Sequence, residues 1–354
     1  MDISLRQRLK LIYRIGLVIV AIVLAFTWQQ IQTSQSVSLN ERNVEYLNTV
    51  KEPIQPLSNK FFVNQAKFHL GEQLFREPRL SRNNAVSCAT CHNLDQGGAD
   101  NKQYSVGLNG AITDVNTPTV FNVAYNFRFN WDGEHENLAV HTDKLMQNPN
   151  VMGSQWSDVE QTLEAINKYR QAFEAVYTDG INKNNVIDAI VTYESALTTP
   201  NAPFDQYLMG NQSALSAAEK QGYTLFKAYG CVSCHHGMNV GGNMFQQFGV
   251  IGNYFEDRGN VQKADLGRFN VTKDEADRHV FRVPSLRNVA VTPPYLHDGT
   301  AETLEEAVRI MVKYQLGRPI PSEHVNAIVQ FLKTLTGEYD SVPLQDMANV
   351  MVNQ

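Results

Sequence analysis

A chain of 354 residues, 43% hydrophobic and 19% charged, is long enough for two ordinary domains that each bury a core, and its composition excludes a disordered or fibrous protein. The formal net charge of −6 at pH 7 argues against a nucleic-acid partner, because phosphate binding needs a basic face.

Residues 1–30 stand apart from the rest. Arg6, Arg8, Lys10 and Arg14 precede an uncharged apolar run from Ile15 to Trp28. A basic flank followed by such a run is the pattern of an export segment. No small-x-small cleavage site follows, since Gln29, Gln30, Ile31 and Gln32 come next. The segment is therefore expected to stay as a single N-terminal membrane anchor. The remainder would lie outside the cytoplasm, tethered if the segment stays and free if it is cleaved. Residues 31–60, rich in Gln, Ser and Asn and containing Pro53 and Pro56, read as a linker.

Two globular regions are expected next, at 61–205 and 206–340, with a C-terminal tail at 341–354. The first opens with Gly71-Glu72-Gln73-Leu74-Phe75, then carries helical stripes. Ser157 and Glu160 have the spacing of a capping box, and Val159, Leu163, Ile166, Phe173 and Val176 continue the stripe. Val186, Ile187, Ile190, Val191 and Leu197 form another, stopped by Pro200. The stretch from Pro200 to Gln212, with Asn201, Pro203, Gly210 and Asn211, is the expected domain junction. In the second region Ser216 with Glu219 caps the helix holding Gly222-Tyr223-Thr224-Leu225-Phe226. Thr303 with Glu306 opens a helix whose inner face is Leu304, Ala307, Val308, Met311 and Val312, closed by Gly317. A last helix is expected from Ser322 to Leu335. Gly- and Asn-rich stretches at 93–118 and 237–260 read as irregular loops, and no sustained alternating pattern predicts a sheet.

Every cysteine lies in a motif: Cys88-Ala89-Thr90-Cys91-His92 and Cys231-Val232-Ser233-Cys234-His235. C-x-x-C-H is a c-type haem attachment site. Two thiols reach the two vinyl groups of one porphyrin, and the adjacent His turns onto the iron. A zinc site made of two such pairs normally separates them by about 15–20 residues, far closer than positions 88 and 231. A thioredoxin-like pair needs a βαβ setting that neither flank supplies. Structural disulfides leave the His after each pair unexplained. Two covalently bound c-type haems are therefore expected, held by Cys88, Cys91, Cys231 and Cys234 with His92 and His235 on the irons. The Gly-x-x-x-Phe repeat ahead of each motif marks two related domains. The expected fold is mostly α: two cytochrome c-like haem domains preceded by the anchor. Met311, inward on a helix after the second motif, is the candidate sixth ligand of the second haem.

From about Leu70 to Gly337 the chain resembles the bacterial di-haem cytochrome c peroxidase family, which also includes the methylamine-dehydrogenase maturation enzyme. The resemblance rests on Leu80-Ser81, the two haem motifs, Asn116 to Asn122, Trp131-Asp132-Gly133 and Ala202-Pro203-Phe204-Asp205. It continues through Gly267-Arg268-Phe269, Leu286-Arg287-Asn288, Pro294 to Gly299 and Thr303 to Met311. The resemblance implies a peroxidatic first haem and an electron-transfer second haem ligated by His235 and Met311. It further implies a small electron-donor protein (a cytochrome c or cupredoxin), Trp131 between the haems, and His297 near the second. A calcium ion held by Asn116, Thr292 and the carbonyl of Pro294 is implied too, as is a homodimer.

The chain departs from that pattern on the peroxidatic side. Leu108 stands where many members carry a distal His, and Val151 where they carry a distal Glu that moves peroxide's proton. A valine has no proton to give. His141 stands at a distal Gln position and is expected to take over the acid/base role, with an ordinary imidazole pKa of about 6.5. His135 and Glu136 are nearby alternatives. The leading expectation is reduction of hydrogen peroxide to water. Two readings stay open beside it: haem-dependent oxidative maturation of a protein partner, and a non-enzymatic electron carrier or peroxide sensor. Met311 counts against the maturation reading, since that enzyme has Tyr at this position.

Overall fold

The computed structural model describes residues 52–57 and 63–350. The candidate anchor at 1–30 lies outside the described residues, as does most of the linker. No helix among the described residues is long and apolar enough to cross a membrane. From Pro53 onward the chain forms one compact unit.

The unit is mostly helical, as expected, and its architecture is a repeat. In the first half α1 (Gln65–Phe75) crosses α3 (Lys183–Ala196), and α2 (Leu138–Gln147) packs on α3. Leu70, Gly71, Leu74 and Phe75 form the buried stripe of α1, at the spacing of one helix face. A Cβ built on Gly71 would run into the carbonyl of Ala189 and the Cβ of Tyr193. In the second half α4 (Ala217–Ala228) crosses α6 (Ser322–Lys333), and α5 (Leu304–Met311) packs on α6. A Cβ on Gly222 would run into the carbonyl of Ala327 and the Cβ of Phe331. Each glycine thus lets two helix backbones touch, which is the physical reason for the repeated Gly-x-x-x-Phe pattern.

The repeat extends beyond the helices at a constant offset of 166 residues. Pro118 pairs with Pro284, Asn122 with Asn288, Trp131 with His297, Gly133 with Gly299 and Leu145 with Met311. Asn122 and Asn288 both adopt the left-handed conformation (φ 61° and 62°), and both amides donate to the buried Thr199 hydroxyl, at 2.8 and 3.0 Å. The halves are stitched by a reciprocal pair of backbone bonds: Asn116 N–H to the His297 carbonyl and Arg282 N–H to the Trp131 carbonyl, each 2.8 Å.

Among the described residues strand is confined to short antiparallel pairs, one of them β1 (Phe245–Gln247) with β2 (Val280–Arg282), in register Phe245 to Arg282. The segment at 53–57 packs on the second half. Ile54 joins its core, Gly237 N–H donates to the Pro53 carbonyl (2.8 Å), and Leu57 N–H to Asp205 Oδ1 (3.2 Å). Near the other end Leu344 packs with Phe75 and Phe121 in the first half.

The capping boxes expected at Ser216 and Thr303 differ from the one at Ser157. Ser216 Oγ accepts from Glu219 N–H (3.3 Å) and Thr303 Oγ1 from Glu306 N–H (3.1 Å). The helix Trp156–Glu164 instead begins ahead of Ser157, so that serine caps nothing. Glu160 accepts from the Lys183 N–H at the start of α3 (2.7 Å), a tertiary bond that replaces the expected local one.

Candidate functional site

The two Cys-x-x-Cys-His motifs open onto two separate cavities of about 550 and 520 Å³. Cys88, Cys91 and His92 line the first, and Cys231, Cys234 and His235 the second. One cavity per pair rules out a single four-cysteine zinc site, and no two of the four cysteines form a disulfide. Burial pushes the Cys88 thiol far above its ordinary range and the Cys231 thiol up to about 11, so neither is a thiolate nucleophile.

Each motif histidine is aimed by a carbonyl. His92 Nδ1 lies 3.2 Å from the Gly98 carbonyl and His235 Nδ1 3.4 Å from that of Val240. A carbonyl only accepts, so each Nδ1 carries the proton and each Nε2 keeps a lone pair for a metal. Burial lowers both imidazole pKa values, that of His235 to about 4, which keeps the rings neutral and fit to ligate. These features fit a covalently attached haem in each cavity: paired thiols, an aimed imidazole and space enough for a porphyrin.

Equivalent helices form one wall of each cavity. In α2 the lining residues include Leu138, His141, Thr142 and Leu145, and in α5 they are Leu304, Ala307, Val308 and Met311. Met311 thus reaches the second cavity, as expected of a ligand, and is followed by a π-helical turn over Val312–Leu316 closed by Gly317 at φ 63°. Such turns recur at functional sites. At the equivalent position the first cavity has Leu145, which has no donor atom.

His141 lines the first cavity, but the expectation of an ordinary imidazole needs correcting. Burial, with smaller contributions from His135, His92 and Arg282, pulls its pKa down to about 3. Its ring stacks on Phe129 at 5.8 Å, and its Nδ1 is buried without a hydrogen-bond partner. Val151 also lines this cavity. Leu108 does not: it is buried against Gly153, and its N–H donates to the Asn150 carbonyl (3.2 Å).

Trp131 forms part of the wall of both cavities, and its indole N–H donates to the Asn116 carbonyl (2.9 Å). His297, its counterpart in the repeat, lines the second cavity with its ring 6.3 Å from that of Trp131. Asn116, Thr292 and Pro294 line this cavity too. Asn116 Nδ2 donates to the Lys102 carbonyl (2.9 Å), which turns the amide oxygen the other way. The three offer neutral oxygens suited to a hard cation.

Several buried polar groups were missed by the sequence reading. His297 Nε2 sits 2.7 Å from Asp265 Oδ1, and Arg258 bridges Asp265 and Asp298. Although burial works against it, these bonds hold the Asp265 carboxyl below the ordinary carboxylate range. One guanidinium pairs with both carboxylates and the His297 ring with one of them, so the cluster is built as an ion-pair network. Glu194 lines the first cavity where the second has Leu332, and burial raises its pKa to about 8. Arg282 lines both cavities. A charge on the inward stripe Val186–Ile190–Glu194, and one inside the apolar run Val280 to Val283, were the signals available.

A family model described as di-haem cytochrome c peroxidase matches residues 65–213. The chain is 40% identical over 313 residues to cytochrome c peroxidase Ccp of Escherichia coli, covering 88% of this chain and 66% of that protein. It is 41% identical over 288 residues to cytochrome c551 peroxidase of Nitrosomonas europaea, covering 81% and 85%. Among solved structures, a MauG-like protein associated with microbial copper homeostasis is similar at a TM-score of 0.69 and 26% identity, covering 81% of this chain and 94% of that one.

Proposed function

Because this chain belongs to the di-haem cytochrome c peroxidase family and is a peroxidase-type oxidoreductase with two c-type haem sites, we propose that it reduces hydrogen peroxide to water in the first cavity. Electrons would come from a small donor protein, a cytochrome c or cupredoxin, by way of the second cavity and Trp131. The observation that carries this division of labour is the pair Leu145 and Met311, equivalent positions of which only the second offers a ligand atom.

Haem bound in each cavity would supply iron-centred one-electron chemistry, with His92 and His235 as the protein ligands of the two irons. Met311 offers a thioether at the second site, a ligand that raises reduction potential and suits electron uptake. Trp131 spans the wall between the sites, and its indole is held by the Asn116 carbonyl. His141, neutral at physiological pH, would take peroxide's proton only transiently, since that charges a buried ring. Burial disfavours the imidazolium, so the ring gives that proton up again readily to a departing oxygen. Val151 can do neither. Asn116, Thr292 and the Pro294 carbonyl would hold a calcium ion beside the second cavity, and we place the chain in the periplasm, tethered by residues 1–30.

The test is His141→Leu, with peroxide turnover measured against a reduced small cytochrome and the spin state read from the Soret band. Loss of an acid/base group lowers turnover by about 10²–10⁴-fold, while the first haem stays high-spin. Unchanged turnover would sink the role of His141. A low-spin wild type that becomes high-spin and faster in the variant would show instead that His141 is a blocking ligand.

A further inference from the structure

Arg282, at the end of β2, is 4% exposed. Among the described residues its guanidinium hydrogen-bonds only to neutral acceptors, the Asn130 carbonyl and Asn126 Oδ1, each at 3.3 Å. Among the described residues no carboxylate forms an ion pair with it, and burial pulls its pKa down only to about 10, so it stays cationic. Arg287, five residues on and equally buried, shows the ordinary arrangement: its Nη1 lies 2.7 Å from Asp205 Oδ1. A buried charge without a counterion is costly enough that proteins rarely keep one. The counterpart of Arg282 in the repeat is the neutral Asn116. The fold has therefore put a lone cation at one of two equivalent places, and that cation lines both cavities.

An anion that pairs with this guanidinium reaches it from the cavities it lines. A haem tied by its vinyl edge to two cysteines carries two propionate carboxylates on another edge. We infer that Arg282 is a shared carboxylate clamp, binding a propionate of the haem in each cavity and so acting as the positioning residue that fixes the two haems relative to one another. The inference rests on the two-haem reading above. Arginine suits the task because its planar fork presents donors in more than one direction, which the point charge of lysine does not. The backbone N–H of the same residue bonds the Trp131 carbonyl, so one residue ties the clamp to the inter-cavity indole. A fixed cation between two haems also favours the reduced form of each, because it attracts the added electron through a low-dielectric interior.

The test is a spectroelectrochemical titration of the holo-protein, wild type against Arg282→Gln and Arg282→Lys, with resonance Raman spectra of the propionate bending bands. Haem is first counted by pyridine haemochrome, and a wild type with fewer than two haems per chain would overturn the underlying reading rather than the clamp. In Arg282→Gln both midpoint potentials should fall and the propionate bands of both haems should move. In Arg282→Lys, which keeps the charge and loses the fork, both potentials should hold while the propionate bands move. Potentials unmoved in a fully loaded Arg282→Gln protein, or a fall at one haem only, overturn the shared clamp. If Arg282→Gln does not load haem, Arg282→Lys decides alone, and unmoved propionate bands there overturn the proposal.

Discussion

The helix α2 after Asp132-Gly133 carries His141 and Leu145 into its cavity, and the helix α5 after Asp298-Gly299 carries Ala307 and Met311 into its own. The caps of these helices, Asn137 and Thr303, occupy equivalent positions, and each accepts from a backbone N–H inside its helix. The crossing helices behind them meet at equivalent glycines. Two halves with one backbone frame have thus been given different chemistry by a few side chains. The second cavity has a thioether where the first has the Leu145 side chain, and the first has the His141 imidazole where the second has Ala307. What the difference teaches is that coordination here is a property of single positions on a shared scaffold.

The largest expected effect of breaking this contrast is the His141→Leu loss of turnover set out above. Next comes exchange at the ligand position. Met311→Leu should lower the potential of the second haem by on the order of 0.1 V, a fraction of the ~0.8 V range that axial ligands command, with the first haem unmoved. Leu145→Met should make the first haem low-spin and suppress peroxide turnover, as visible and near-infrared spectra would report. A first haem left high-spin would break the proposed equivalence.

A smaller effect tests the frame itself. Gly71→Ala and Gly222→Ala should each destabilise by about 1–3 kcal/mol, because a methyl pushed into a close helix crossing is overpacking. Similar losses in denaturant melts would sharpen the comparison, and a marked inequality would show that one crossing is the looser. The smallest effect is at Glu194, the polar exception opposite Leu332. Folded, this acid keeps its proton to about pH 8; unfolded, it releases it near 4.5, so stability falls as pH rises across that window. Glu194→Gln should flatten the dependence and leave the variant the more stable of the two above pH 8, read from melting curves at pH 5 and pH 9.

Much of the molecule was legible from the chain alone. The C-x-x-C-H motifs, the capping pairs at Ser216 and Thr303, and the Gly-x-x-x-Phe repeat each depend on residues within one helical turn. Spacing in sequence is then spacing in space, and the chemistry can be read directly. Met311 was legible for the same reason, as an inward position on a strongly amphipathic helix. Ser157 misled because its helix starts elsewhere, once Glu160 is taken by Lys183 across the fold.

What the sequence by itself determined is therefore the class of chemistry: two covalent haem sites, their histidines, and a helical repeat to carry them. Only the tertiary structure decided how the individual side chains behave. It buried His141 and so moved its titration far below neutrality, turned Leu108 away from the cavity, and set Arg282 in the walls of both sites. The physical reason is that charge state and exposure are set by desolvation, and desolvation depends on partners such as Asn126 and Arg282 that lie more than a hundred residues apart in the chain.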